Sequence, residues 1–140
     1  MRKHSISQIC YGHVCSGTGL LDHYEFLARD RSNNIDSAEA ICASYKDDLI
    51  ARAAVSNMIR YLGRFISQLC LMFKPTGGIY LSGGAMSSLG ALITTSNCFE
   101  SGLNEIENDI LLEICQAPSI YQVTREDLGL IGASCFALER

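Results

Sequence analysis

The paired glycines Gly83 and Gly84 are the residues of this chain that most clearly suggest a ligand-binding backbone. They follow the run Ile79–Leu81, whose β-branched, aromatic and apolar residues predict a buried strand, and they precede a predicted helix. Because glycine has no Cβ and the first amides of a helix lack partners, a nucleotide could approach this backbone closely. The pattern is also typical of a plain strand-to-helix turn, so the glycines alone leave both interpretations open.

A second glycine-containing stretch, Ser16-Gly17-Thr18-Gly19, precedes another apolar helical pattern and is called the 16–19 segment below. It is not a dinucleotide-binding fingerprint, because the third small residue of that motif would fall on Asp22. The sequence also contains neither the GxxxxGK(S/T) phosphate loop nor the GxSxG nucleophile elbow. These signatures of dinucleotide, P-loop and esterase chemistry are therefore excluded.

Five further residues have side chains that can do chemistry, and each has a plainer interpretation. Cys15 could be a nucleophile or a buried thiol, and His13 and His23 could be general bases or incidental histidines near the 16–19 segment. Asp47 and Asp48 could hold a metal ion or form the solvated start of a helix. Since they form no recognisable catalytic constellation, we assign no catalytic residue and no metal ligand.

Composition limits the class of protein. Of 140 residues, 48% are hydrophobic and 19% are charged, which is enough apolar material for one domain or for a piece of a larger one. The net charge of −4 and the scattered basic residues argue against nucleic-acid binding. The chain has no run of about 18 apolar residues, and its start is not typical of a secretory signal. We expect a cytoplasmic protein without a nucleic-acid or membrane partner.

The seven cysteines include no CxxC pair. Cys42, Cys70, Cys115 and Cys135 lie within apolar helical patterns, where cysteine behaves as a small hydrophobic residue. The histidines have no ligand-like spacing with them, which argues against zinc. We therefore expect reduced core thiols, not disulfides.

The elements that would position these residues alternate between helices and short β runs. The periodicity predicts a strand and turn within 4–15, helices over 20–27, 36–45, 48–73, 86–94, 103–115 and 128–138, and strands over 79–81 and 120–124. Asp36 is the expected N-cap of the second helix. Two β runs separated by helices imply parallel pairing through crossovers. Because so small a sheet cannot cover its helices, we expect an α/β fold that lacks an N-terminal portion.

Several motifs occur in a consistent order along nearly the whole chain. They are Ser16-Gly17-Thr18-Gly19-Leu20, Leu62-Gly63-Arg64-Phe65, Gly77-Gly78-Ile79-Tyr80-Leu81-Ser82-Gly83-Gly84, Cys98-Phe99-Glu100-Ser101-Gly102 and Leu128-Gly129-Leu130-Ile131-Gly132-Ala133. Together they resemble the C-terminal half of bacterial-type glucokinases, sugar kinases of the actin/hexokinase superfamily. The resemblance implies that residues 1–140 are the C-terminal segment of an actin-like, ribonuclease H-like sugar kinase lobe, in which a small, mainly parallel sheet packs with several helices.

The resemblance also implies ATP-dependent phosphorylation of glucose or a similar hexose to the 6-phosphate, with Mg²⁺ bridging the phosphates. On this basis Gly83, Gly84 and Ala85 would line the adenosine and α-phosphate side of the nucleotide. The 16–19 segment would form the floor of the cleft. The chain would thus supply the adenosine-side half of a kinase site.

The motifs that carry catalysis in this family have no counterpart here. The family's Asp-x-Gly-Gly-Thr phosphate hairpin, Asn-Asp catalytic base, Gly-Thr-Gly-Leu-Gly loop and Glu-x-Gly-Gly-His sugar segment are absent, and residues 1–15 contain no Asp or Glu to replace its sugar-contacting Glu. We therefore expect that the chain alone does not phosphorylate glucose and that it needs the missing N-terminal lobe. The alternative is an inactive kinase remnant that acts as a binding or homo-oligomerising module through exposed apolar faces.

Overall fold

The computed structural model describes residues 10–29, 35–125 and 127–138, and this part of the chain is mostly helical with one two-stranded parallel sheet. The elements in chain order are α1 Tyr11–Val14, α2 Gly17–Ala28, α3 Ala38–Ala43, α4 Leu49–Phe73, β1 Ile79–Leu81, α5 Gly84–Thr95, α6 Cys98–Leu103, α7 Asp109–Gln116, β2 Ile120–Gln122 and α8 Leu128–Leu138. A 3₁₀ turn, Ser44–Lys46, joins α3 to α4. The α/β class expected from the sequence is confirmed.

Helix α4 is the centre of the packing. Asp48 caps its start, because one carboxylate oxygen accepts a hydrogen bond from the Ile50 amide at 2.8 Å. Its apolar face is buried against α2, α3, α6 and α7. The largest fully buried side chains of the core include Tyr24, Leu20, Ile41, Met58, Ile59, Ile66, Leu89 and Val55. The prediction of one long helix with a continuous buried face is confirmed.

Helices α4 and α6 cross with their backbones almost in contact. A Cβ on Gly102 would overlap the Arg60 carbonyl group, and one on Gly63 would lie 2.9 Å from the Leu103 amide nitrogen. Arg60 also forms a salt bridge with Glu105 at the exposed side of the crossing, where an ion pair contributes little stability. Close packing at the two glycines therefore sets the position of α6.

Strands β1 and β2 pair in parallel, with Ile79 opposite Ile120. Helices α5, α6 and α7 connect them, which confirms the predicted crossover. Ile79 packs against the core, whereas Tyr80 is 64% exposed and its ring stacks on that of Tyr121 with centroids 5.0 Å apart. The expectation of a buried strand is therefore wrong for one face of β1, because the described helices leave that face of the sheet open.

Helix α8 confirms the predicted closing helix but buries none of its side chains. Leu130 and Leu138 are 76% and 87% exposed. Cys135, which was expected in the core, is exposed as well, because no other described element makes extensive contact with α8. A helix this apolar normally packs against other structure.

The cysteines are reduced, as expected, and two of them lie in the core. All seven are free in the structure, and Cys70 and Cys115 are buried, while Cys42 is half-buried. The Cys115 thiol donates to the Ser67 carbonyl at 3.3 Å. Burial raises the pKa of both Cys70 and Cys115, so these two side chains remain neutral at pH 7.

Two element boundaries differ from the predictions because short polar side chains cap helices. The helix predicted over 103–115 instead begins at Asp109 as α7, since the Asn108 side chain accepts hydrogen bonds from the Ile110 and Leu111 amides, and the separate helix α6 was not predicted. Helix α3 is capped by Ser37, whose hydroxyl accepts from the Ala40 amide at 3.1 Å, and not by Asp36.

The predicted strand and turn over 4–15 is also wrong where the structure describes it. Residues 11–14 form the single turn α1, and residues 4–9 lie outside the described part. A local side-chain bond favours this turn, because the His13 ring accepts from the Cys10 amide at 3.2 Å. Among the described helices, none is both long and apolar enough to cross a membrane.

Candidate nucleotide-binding site

The four residues Ser82-Gly83-Gly84-Ala85, called the 82–85 segment below, lead from the carboxyl end of β1 into α5. Gly83 has a φ of 118°, which L side chains rarely adopt, and it occupies the N-cap position of α5. A Cβ on Gly83 or Gly84 would meet no atom within 4 Å. The segment therefore presents open space and the first amides of a helix at the edge of the sheet where ligands of parallel sheets bind.

Strand β2 anchors the start of α5. Gln122, opposite Leu81 in the register, donates from its side-chain amide to the Met86 carbonyl at 3.1 Å. The same side chain fills the space beside Gly90, and Met86 is itself buried. The sequence pattern gave no signal for this contact, because it joins two elements that are distant in the chain.

The 16–19 segment forms the start of α2 and is arranged differently. The Ser16 hydroxyl caps the helix by accepting from the Gly19 amide at 3.1 Å, and it lies 3.0 Å from the Thr18 hydroxyl. Gly19 is buried against α1, and a Cβ there would overlap the His13 carbonyl and lie 2.7 Å from the Val14 carbonyl oxygen. This glycine permits close packing within the protein.

One residue of each segment lines the same small crevice. Gly17 at the start of α2 and Ala85 at the start of α5 both line it, and α3 contributes Ala38 and Cys42. Its volume is about 60 Å³, whereas ligand pockets commonly measure about 300–1,000 Å³. The crevice is therefore too small to enclose a ligand of nucleotide size.

A larger cavity lies at the other end of the sheet. It measures about 500 Å³ and includes Gly78, before β1, and Ser119, before β2, together with Lys74 and Tyr121. Lys74, Gly78 and Ser119 precede the strands and Tyr121 lies within β2, whereas the 82–85 segment follows β1, so the cavity is separate from the candidate site.

Cys15 and Asp48 prove to be structural. Burial raises the pKa of the Cys15 thiol to about 11, which leaves it a poor nucleophile at neutral pH. The two carboxylate oxygens of Asp48 accept from the Ile50 amide and from the Tyr24 hydroxyl, each at 2.8 Å. The plainer interpretations of a buried thiol and a helix start therefore hold for these residues.

The two histidines have different surroundings. The His23 ring is half-buried beside the ring of Tyr61, and desolvation lowers its pKa, although a hydrogen bond with the Ala54 backbone and the charge of Asp22 partly oppose this. His13 is exposed, and its Nδ1 atom lies 3.0 Å from the Cys10 sulfur. The contacts of the two rings are with Tyr61, Ala54 and Cys10 and not with the 82–85 segment, so the geometry of the described residues gives neither ring a role at that segment.

The described residues contain no group of three or more His, Cys, Asp or Glu side chains that could hold a metal ion. The open backbone of the 82–85 segment suits a phosphate or nucleoside group, since its donors are amides. A divalent cation has no comparable set of carboxylate ligands in this part of the chain.

The glucokinase family model matches residues 1–140 of this chain. The chain belongs to the glucokinase family. It is 33% identical over 136 residues to a protein named "Bifunctional protein glk" from Burkholderia pseudomallei, which covers 94% of this chain and 21% of that protein. It is 26% identical over 160 residues to a glucokinase from Nostoc punctiforme, which covers 96% of this chain and 46% of that protein.

A glucokinase-like protein from Xylella fastidiosa gives a similar result, with 26% identity over 132 residues that cover 91% of this chain and 39% of the relative. The chain thus spans between about a fifth and under a half of the length of these relatives. Family membership confirms the resemblance identified from the glycine segments and identifies the chain as glucokinase-type.

Proposed function

We propose that this chain supplies the adenosine-side half of a glucokinase-type site, with Gly83, Gly84 and Ala85 facing the adenosine and α-phosphate of ATP. The observation that carries the proposal is the open backbone of the 82–85 segment at the carboxyl end of β1. Its amides are the first of α5 and lack partners within the helix, so they can donate to phosphate oxygens. Membership of the glucokinase family supports ATP as the nucleotide.

The 16–19 segment would form the floor of the cleft through its shape. Support comes from the crevice, because Gly17 at the start of α2 and Ala85 at the start of α5 both line it. Gly19 is buried and the Ser16 hydroxyl is occupied by the helix cap. In this proposal the exposed Thr18 and the edge of Gly17 are the parts of the segment that remain available to a ligand.

The substrates would be ATP and glucose or a similar hexose, in a complete enzyme that also contains an N-terminal lobe. Mg²⁺ neutralises charge on the phosphates in such reactions. The described residues do not fit a Mg²⁺ site by themselves, so the proposal assigns no Mg²⁺ ligand to this chain. Its own residues would bind and orient the nucleotide.

The decisive experiment is calorimetric titration of the chain with Mg·ATP, using the wild type and Gly84→Val in parallel. A valine at this position projects into space that no protein atom fills, so the fold is retained while the nucleotide is obstructed. We expect saturable binding by the wild type and at least about a tenfold loss of affinity in the variant, or roughly 1.4 kcal/mol.

Gly132→Val is the matched control, because a Cβ at this position of α8 also meets no atom within 4 Å. It should bind Mg·ATP like the wild type. Equal binding by Gly84→Val and the wild type would contradict the assignment of the 82–85 segment.

Catalysis is a separate part of the proposal. We expect the chain alone to form no glucose 6-phosphate from glucose and Mg·ATP, because the sequence offers no counterpart of the family's catalytic base. Turnover above a mock purification would refute this.

The second candidate is a remnant that binds another protein or itself, and the exposed apolar helix α8 favours it. A folded chain that does not bind Mg·ATP but self-associates in analytical ultracentrifugation would support this candidate over the first.

A further inference from the structure

The cavity of about 500 Å³ at the start of the sheet is bounded by two stretches of chain. One runs from Lys74 to Gly78, between α4 and β1, and the other runs from the end of α7 to Ser119, before β2. The Ile79 amide donates to the Ser119 carbonyl at 2.9 Å, so the start of the sheet holds the two stretches together. The volume of this cavity lies within the range of pockets that hold small organic ligands, about 300–1,000 Å³.

Lys74 gives this cavity a positive charge. The other described residues that line it are apolar, aromatic, glycine or hydroxyl-bearing, and none of them is acidic. The salt bridges of the described residues all involve arginines, so Lys74 has no carboxylate partner in this part of the chain. Its ammonium group is therefore available to a carboxylate of a ligand.

Helices α4 and α7 both end at this cavity, and a proline follows each of them. Pro75 and Pro118 stand four residues after Leu71 and Ile114, at the positions whose amides would bond to those two carbonyls in a continuing helix. Because proline has no N–H, the Leu71 and Ile114 carbonyls lack their usual helical donor. The negative ends of two helices thus meet the cavity, and they favour a cationic donor such as an ammonium group.

The rest of the lining suits an apolar, ring-shaped group. Pro118 and Tyr121 both line the cavity, and the Tyr121 ring lies close over Gly78, where a Cβ would be 2.8 Å from the ring carbon Cε2. The Tyr80 ring stacks on that of Tyr121 with centroids 5.0 Å apart, which limits the movement of the Tyr121 ring. A further aromatic ring could pack against this pair.

We propose that this cavity is a second ligand site, which binds an α-amino acid with an aromatic side chain. The carboxylate of the ligand pairs with the Lys74 ammonium, its own ammonium donates to the Ile114 carbonyl at the end of α7, and its ring packs against Tyr121. A zwitterion of this kind matches both kinds of charge at the cavity, whereas a phosphate offers nothing to the helix carbonyls. The site lies at the opposite end of β1 from the 82–85 segment, so its ligand does not occupy the nucleotide position.

The first test is a ligand-observed NMR titration of the chain with three compounds that share one phenyl ring. L-phenylalanine carries both charged groups, 3-phenylpropionate lacks the ammonium and 2-phenylethylamine lacks the carboxylate. We expect saturable binding of L-phenylalanine and about fivefold weaker binding of each of the others, because each loses one pairing at a site open to solvent. Absence of L-phenylalanine binding with a Kd below about 1 mM, or equal affinity for L-phenylalanine and either of the others, would overturn the proposal.

Lys74→Met locates the carboxylate of the ligand. Lys74 is exposed, so its replacement should leave the fold intact. We expect the affinity for L-phenylalanine to fall to about that of 2-phenylethylamine, whose own affinity should not change. Lys46→Met is the matched control, because Lys46 is exposed in the 3₁₀ turn between α3 and α4 and does not line the cavity, and it should bind like the wild type. Unchanged L-phenylalanine binding in Lys74→Met would contradict the assignment.

Ala117→Phe tests whether the ring of the ligand occupies the cavity. Ala117 is exposed and lines the cavity, so a phenyl group there should obstruct the ligand by at least about tenfold in affinity, and circular dichroism checks the fold. Undiminished binding would place the ligand elsewhere, for example on the apolar helix α8, and would overturn the proposal. Gly84→Val should bind L-phenylalanine like the wild type, because Gly84 begins α5 beyond the far end of β1, and a loss there would contradict a separate site.

Discussion

The two glycine segments of this chain contain glycines with opposite surroundings. In the 16–19 segment Gly19 is buried, and a Cβ would collide with the carbonyl groups of α1. In the 82–85 segment Gly83 and Gly84 are exposed, and a Cβ on either would meet no atom. The first segment is close-packed within the protein, whereas the second leaves space beside the backbone.

This difference distinguishes two roles of glycine, one in packing and one in ligand access. A glycine needed for packing contributes to folding stability, so its replacement should be costly without any ligand. A glycine beside open space has no such packing role, and its replacement should affect a ligand first. Denaturation and binding measurements can therefore distinguish the two segments, and the expected effects fall in a definite order.

Gly19→Ala should have the largest effect on stability. The added methyl group would overlap backbone carbonyls of α1, which cannot rotate away as a flexible side chain can. We expect the free energy of unfolding, measured by urea denaturation, to fall by about 3 kcal/mol. Gly17→Ala is the control, because its nearest neighbour would be the Ala38 methyl at 3.6 Å, and a similar loss there would contradict the packing argument.

Gly83→Ala should have a smaller effect, caused by the backbone alone. Alanine would be strained at a φ of 118°, so we expect a loss of about 1–2 kcal/mol in the same urea assay. Gly84→Ala should be nearly neutral, since Gly84 does not have a positive φ and its Cβ would meet open space. If Gly84→Ala proved as destabilising as Gly83→Ala, strain at Gly83 would not be the cause.

Ser16→Ala should have the smallest of the three effects. It removes the hydroxyl that accepts from the Gly19 amide at the start of α2, and loss of such a cap costs about 1 kcal/mol. Thermal denaturation followed by circular dichroism would detect it. Thr18→Ala is the control, because Thr18 is exposed and does not cap the helix, and an equal shift in both variants would argue against the cap as the cause.

The sequence predicted the parts of the fold that depend on local periodicity. The long helix α4 followed from apolar residues at three- and four-residue steps, and the glycine turn followed from Gly83 and Gly84 after a β run. The parallel pairing of β1 and β2 followed from the helices between them. In the first two cases the residues that determine the structure are close together in the chain, and in the third the order of the elements along the chain was sufficient.

The sequence could not predict features that depend on distant neighbours. Tyr80 fits a buried strand by its type, yet it is exposed, because burial depends on which elements cover the sheet. A local feature was missed as well: α7 begins at Asp109 and not at residue 103, because the Asn108 side chain accepts two nearby amides, which apolar periodicity does not reveal. In the candidate site, Gly83 and Gly19 cannot be distinguished by sequence, and only the structure shows open space beside the first and close packing at the second.

The hydrogen bond from Gln122 to the Met86 carbonyl also has a consequence for strand alignment. Parallel strands have no hairpin turn to fix their alignment, so side-chain contacts must do so. If β2 slipped by one residue, Gln122 would point to the opposite face of the sheet and release the first turn of α5. The position of the glycine turn is thus set by the alignment of a strand that lies far from it in the chain.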